Sequence, residues 1–219
     1  MSAIVHHPDA STLLGFAAGS LPEPLAAVVA VHLDMCRRCN GDVAALNGVG
    51  GTLLEALPPV PLNGPRRGVS LDSLRHRDPG ADDGGGRRIG HNGPPQALTR
   101  LAGPDLSAVA WRRIAPGLWH KRLPLSPGVK GDLRLVKVAP GQTMPEHGHG
   151  GTELTLVLDG AYRDEVGCFL AGDVADLDDE IEHQPVADPH VGCICLIASE
   201  RKARFKSLLA RLLQPLTGF

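Results

Sequence analysis

Forty-four consecutive residues in the middle of the chain, 61–104, hold 15 Gly or Pro and 7 Arg, with few large apolar side chains. A stretch like this buries too little apolar surface to offset the entropy of ordering it. It reads as a flexible linker. It divides the 219 residues into a short part, 1–60, and a longer part, 105–219.

The short part is patterned as helix. Asp9 or Ser11 caps a short helix over about Leu13–Ala18, which Gly19 stops. Ser20-Leu21-Pro22-Glu23 fits a capping box with Pro in the first turn, opening a helix that runs to about Met35. A third helix spans about Cys39–Leu57. Its Val43, Leu46, Val49 and Leu53 recur at helical spacing, and Gly50 and Gly51 weaken it.

The long part alternates with period two over Leu133–Val138, Leu154–Leu158, Tyr162–Val166 and Cys193–Ala198. Short strands punctuated by Gly, Pro and Asp point to an antiparallel sandwich or barrel. Residues 199–215 close the chain as an amphipathic helix, with Phe205, Leu208, Leu209, Leu212 and Leu213 on one stripe. The fold class is α + β: a small helical domain followed by a β-barrel with a terminal helix.

Charge and composition exclude several functions. Lys plus Arg is 22 against 24 Asp plus Glu, a formal charge of −2, so no basic footprint marks a nucleic-acid binder. Seven aromatic residues are too few for a base-stacking platform. No apolar run approaches the roughly 20 residues that cross a bilayer. Met-Ser-Ala-Ile-Val-His-His has neither a basic n-region nor an apolar h-region. The expectation is a cytoplasmic chain without membrane contact, whose five cysteines stay reduced.

Two groups of residues carry chemistry. In the first, His32-x3-Cys36-x2-Cys39 straddles a helix end and the start of the next helix. His32 and Cys36, four apart, share a helix face. Cys36 and Cys39 have the short spacing with which two thiolates hold one metal. A tetrahedral zinc needs a fourth ligand, and His6 and His7 lie upstream. A 60-residue helical unit has a small core, so a structural zinc would add the stability it lacks.

His32-Leu33-Asp34-Met35-Cys36-Arg37-Arg38-Cys39, with His6-His7-Pro8-Asp9 and Ala17-Ala18-Gly19-Ser20-Leu21 before it, resembles the start of ChrR-type zinc-binding anti-sigma factors. The resemblance implies that His7, the second of the paired histidines, completes the zinc set with His32, Cys36 and Cys39. It also implies that residues 1–60 clasp an extracytoplasmic-function sigma factor.

In the second group, Gly141-x5-His147-x-His149-x3-Glu153-x6-Gly160 has a mechanical reading. His147 and His149, two apart on a strand, point to one face. Gly150 and Gly151 let the chain bend so that Glu153 returns to the same centre, and Gly160 closes a hairpin. The pattern matches the first cupin motif. Gly172-x5-Asp178-x-Glu180-x2-His183 keeps the first Gly and the His of the second cupin motif. The likeness makes His183 the fourth ligand. Three histidines and a carboxylate suit Zn2+ or another divalent metal.

Other features read as structural. Glu146, Asp164 and Asp173 are assigned to the surface; His76, His91, His120 and His190 are assigned to solvent. Cys193 and Cys195 are small core residues on one strand face, although a redox pair is the sharper alternative. We see no Ser-His-Asp set, phosphate loop or cofactor fingerprint, so no enzyme is expected. The sequence reading is a cytoplasmic anti-sigma factor. Its zinc domain inhibits the sigma factor, and its cupin releases it under singlet oxygen or related oxidants. The alternative is a metal-dependent cupin dioxygenase or isomerase with an accessory zinc domain.

Overall fold

A computed structural model describes residues 3–60 and 95–201, and the backbone of 204–205. Helix α1 (Ala10–Ala17) ends at Gly19, whose φ of +67° needs no Cβ. Helix α2 (Glu23–Met35) starts at Pro22, with Pro24 in the first turn and Glu23 at the positive end of the helix dipole. The expected capping box is absent: the Ser20 hydroxyl donates back to the Gly15 carbonyl instead. Cys36 is extended and breaks α2 from α3 (Arg37–Glu55), which it caps by accepting from the Cys39 amide at 3.5 Å.

Of the expected linker, 61–94 lies outside the described residues. Its end, however, forms helix α4 (Gln96–Ala102). Leu98 is buried against α2, and the Ala97 amide donates to Asp34 on that helix at 2.8 Å. Composition missed this helix because one well-placed Leu and a cap from 63 residues away order it.

The strands are β1 (Arg112–Ala115), β2 (Leu118–Arg122), β3 (Asp132–Val138), β4 (His147–Gly148), β5 (Glu153–Arg163), β6 (Cys168–Leu170), β7 (Val174–Leu177), β8 (Glu182–His183), β9 (Val186–Ala187), β10 (Cys193–Ser199) and β11 (Arg204–Phe205). The larger sheet runs β1-β2-β3-β10-β5-β6, with β7 and β9 also paired to β5. The smaller runs β11-β4-β8, and all the strand pairings are antiparallel. Gly160 does not close a hairpin. It lies within the single long β5, at φ +72°, where a Cβ would run into the Gly192 carbonyl. There β5 leaves β10 and turns toward β6 and β9. Where a terminal helix was expected, Arg204 and Phe205 pair with β4 as a strand, supplying backbone partners beside His147. Of the rest of that expected helix, 202–203 and 206–215 lie outside the described residues, as do 216–219.

Period-two alternation decides where the core sits. Leu133, Leu135, Leu154, Leu156, Leu196 and Ala198 face one way, into a cluster shared with Leu25, Val28, Val29 and Leu33 of α2. Val136, Val138, Val157, Cys193 and Cys195 face the other way, packing with Tyr162 and Phe169 inside the barrel. Helix α2 therefore lies across β3, β10 and β5, and one hydrophobic core joins the helical unit to the barrel.

Candidate metal centres

The helix break at Cys36 brings the first group together. One ligand-type atom from each of His7, His32, Cys36 and Cys39 falls within 4.8 Å of the others. His7 Nδ1 stands 3.5 Å from Cys36 Sγ and 3.3 Å from Cys39 Sγ. His6 points elsewhere, with its ring 4.5 Å, centroid to centroid, from that of Phe169. His32 Nδ1 donates to the Gly172 carbonyl at 2.9 Å, which leaves Nε2 as the unprotonated nitrogen. That Nε2 is buried with no hydrogen-bond partner.

Burial lowers the His32 pKa to about 4 and raises the Cys39 pKa to about 12, helped by Cys36 beside it. A neutral imidazole with an orphaned lone pair, facing two thiols, fits a bound cation that would draw off the thiol protons. The donor set suits a closed tetrahedral site.

The second group comes from three strands. β4 carries His147 and leads to His149, β5 begins at Glu153, and β8 ends at His183, which pairs in register with His147. All four offer ligand atoms within 4.8 Å of one another, and all four are buried. Each imidazole has an acceptor for its Nδ1 proton: Pro145 O at 2.8 Å for His147, Glu153 Oε2 at 3.2 Å for His149, and Asp164 Oδ2 at 2.8 Å for His183. The Nε2 atoms of His149 and His183 then face each other, 3.2 Å apart. With both rings neutral and donating through Nδ1, two lone pairs face each other there, and either a proton shared between the rings or a bound cation relieves their repulsion. Burial opposes the charge on Glu153, but the His149 hydrogen bond and the neighbouring histidines hold its pKa below the usual carboxylate value. The residues fit a divalent cation.

Sequence reasoning missed the residues that support these groups. Asp164 and Asp173, assigned to the surface, have buried carboxylates: Asp164 receives His183, and Asp173 receives the chain beside His7. The nearest signal was their position in turns, Asp164 before Gly167 and Asp173 after Gly172. His120 is buried rather than solvated, with Nδ1 3.4 Å from the Arg134 guanidinium. Glu146 and His190 are exposed as expected, and His76 and His91 lie outside the described residues. Cys193 and Cys195 are buried free thiols, and Cys168 is exposed. A cavity of about 260 Å³ reaches from His147, Glu153 and His183 into the barrel past Val136, Tyr162 and both buried cysteines.

A cupin-like barrel carrying a His-rich cluster, with a His/Cys helical unit docked on its outer face, defines the class. Residues 101–203 match the family model described as the ChrR cupin-like domain. The chain is 39% identical over 212 residues to the anti-sigma-E factor ChrR of Cereibacter sphaeroides, covering 97% of each. It superposes with a TM-score of 0.75 on a chain from the crystal structure of Rhodobacter sphaeroides SigE in complex with the anti-sigma ChrR, at 39% identity, covering 90% of this chain and 100% of that one. The chain belongs to the ChrR family. No helix among the described residues is long and apolar enough to cross a membrane.

Proposed function

We propose that this protein is an anti-sigma factor that holds an extracytoplasmic-function sigma factor through its helical unit. The carrying observation is the near end-to-end likeness to a regulator, helical unit and barrel together. An exposed apolar stripe supports it. Val43 of α3 is buried, but Val49, Leu53 and Leu54 further along the helix are 60%, 65% and 69% exposed, and Leu57 and Val60 continue the apolar surface. The helically spaced stripe is more than so small a unit buries by itself, and unburied apolar surface of this kind suits a protein partner.

In this reading His7, His32, Cys36 and Cys39 hold a structural zinc. His147, His149, Glu153 and His183 hold Zn2+ or another divalent metal, which would offer a coordination site open to the barrel cavity. The protein works in the cytoplasm beside RNA polymerase, binds no nucleic acid itself and turns over no metabolite. The cupin senses singlet oxygen or a related oxidant, and a disturbance there favours the sigma-free state over the bound one.

The test is co-purification of the full chain with extracytoplasmic-function sigma factors, followed by in vitro transcription. Inhibition is expected. The His147→Ala, Glu153→Ala double variant should still inhibit but should no longer release sigma under singlet oxygen. Failure to bind any such sigma factor overturns the reading; normal release by the double variant overturns the sensing role.

A further inference from the structure

The N-terminal cluster draws its supporting hydrogen bonds from the barrel. His32 Nδ1 donates to the carbonyl of Gly172, 140 residues away, in the turn between β6 and β7. The next residue, Asp173, is 1% exposed. Its carboxylate accepts from the amides of Val5 at 2.7 Å, His6 at 3.0 Å and Leu170 at 2.9 Å, and it faces His6 Nδ1 at 3.4 Å. The Val174 amide donates to the His6 carbonyl at 3.1 Å. Further along β7, Asp176 accepts from the Asp9 amide at 3.0 Å and the Thr12 hydroxyl at 2.7 Å. The chain on both sides of His7 is thus fastened to β7 and the turn before it. Residues 3–9 form neither helix nor strand, so these bonds are what sets the path of the segment that delivers His7. Gly172 has φ +98°, and a Cβ on it would stand 2.7 Å from the Ile4 side chain, so a larger residue in this turn would push against the segment.

The second cluster reaches the same segment. Asp164, which receives His183, also accepts from the amides of Val166 at 2.9 Å and Gly167 at 3.0 Å and so shapes the turn between β5 and β6. Gly167 lies against the His6 ring, where an added Cβ would stand 3.4 Å from Nε2.

We propose that the Gly172–Asp173 turn of the barrel is the outer shell of the N-terminal metal centre, so that docking of the barrel sets how firmly His7, His32, Cys36 and Cys39 hold their metal. This rests on the metal reading above and adds the regulation of that centre. Asp173 touches no ligand atom of the cluster; it is a positioning residue acting through the backbone of Val5 and His6. Gly172 fixes the tautomer and orientation of His32. Outer-shell partners of ligating histidines govern metal retention by about 10–100-fold. Through Asp164 and the Gly167 turn, a change at His183 moves the wall against which His6, and therefore His7, is set.

The experiment uses the full chain loaded with Co2+. Thiolate-to-cobalt absorption reports the N-terminal cluster alone, because the second set contains no thiol. Asp173→Asn and His6→Ala should each speed loss of that band to EDTA about tenfold or more. Asp188→Asn, which alters a barrel turn remote from the segment, should leave the rate unchanged. If Asp173→Asn fails to fold, His6→Ala, a change on the half-exposed arm, decides. A purely structural role would lower the urea midpoint and leave the release rate in native buffer unchanged. A band present in the wild type but released at the same rate from the folded variants overturns the proposal alone. A wild-type protein with no thiolate band overturns the metal reading with it.

Discussion

Replacing Leu25 with Ala tests whether the helical unit and the barrel stand or fall together. Leu25 is 2% exposed and belongs to the cluster that includes Leu133, Leu154 and Leu196 of the barrel. Truncating a buried Leu costs the lost transfer energy plus a cavity term, about 2–5 kcal/mol. With a urea m-value of ~2–3 kcal/mol per molar, the midpoint should fall by about 1–2 M. The assay exploits the placement of the two tryptophans, Trp111 and Trp119, next to β1 and in β2. Trp111 packs against the shared cluster, so in a Trp111→Phe background the fluorescence of Trp119 reports unfolding of the barrel, while the Leu25 substitution is in α2. If the two parts were independent, α2 would lose stability and the fluorescence midpoint would stay where it was. An unchanged tryptophan midpoint, with loss of helix detected separately by circular dichroism, would refute the shared core.

Leu53→Arg, at a position 65% exposed, should weaken sigma-factor binding about tenfold or more while changing stability by no more than about 0.5 kcal/mol, measured by titration and urea unfolding. Asp164→Asn keeps the size of the side chain but alters the acceptor for His183 Nδ1, and metal retention by the second cluster should fall about 10–100-fold in a chelator competition. The metal-free protein should lose stability as pH falls. Burial lowers His32 to about 4 from 6.5, so between those values the unfolded chain takes up a proton that the folded chain refuses. A urea midpoint that is flat from pH 6.5 to 4 would remove that burial as a cause.

Three members of each cluster were legible because they are local, and His7 and His183 came from the resemblance. His32, Cys36 and Cys39 lie within one helix boundary, and His147, His149 and Glu153 within one strand–turn–strand. Short spacing on a regular element leaves few directions for a side chain, so period and spacing suffice. The resemblance selected His7 over His6, and the structure turns His7 toward the thiols and His6 toward Asp173. The bounds of α1, α2, α3, β3 and β10 followed from periodicity to within a few residues; β1, β2, β6 and β7 showed no pattern that was read as strand, and a tertiary partner decided β5 continuing through Gly160, α4 emerging from a Gly/Pro-rich stretch, and a strand at Arg204–Phe205.

What pattern alone could not show is which face meets which. The alternation of Leu133, Leu135, Leu154 and Leu156 with Val136 and Val157 says that the sheet has two apolar faces; only the folded chain shows that α2 covers one of them. Asp164 and Asp173 look like ordinary turn carboxylates, because nothing in their own neighbourhood shows that His183, 19 residues on, meets the first or that a segment some 167 residues earlier covers the second. Which residues can cluster rests largely on local spacing, and how their side chains are oriented rests on contacts between distant parts of the chain. The chemistry of the two clusters was therefore readable from residues 7–39 and 147–183, while their connection through Gly172 and Asp173 exists only once the barrel and the helices have packed.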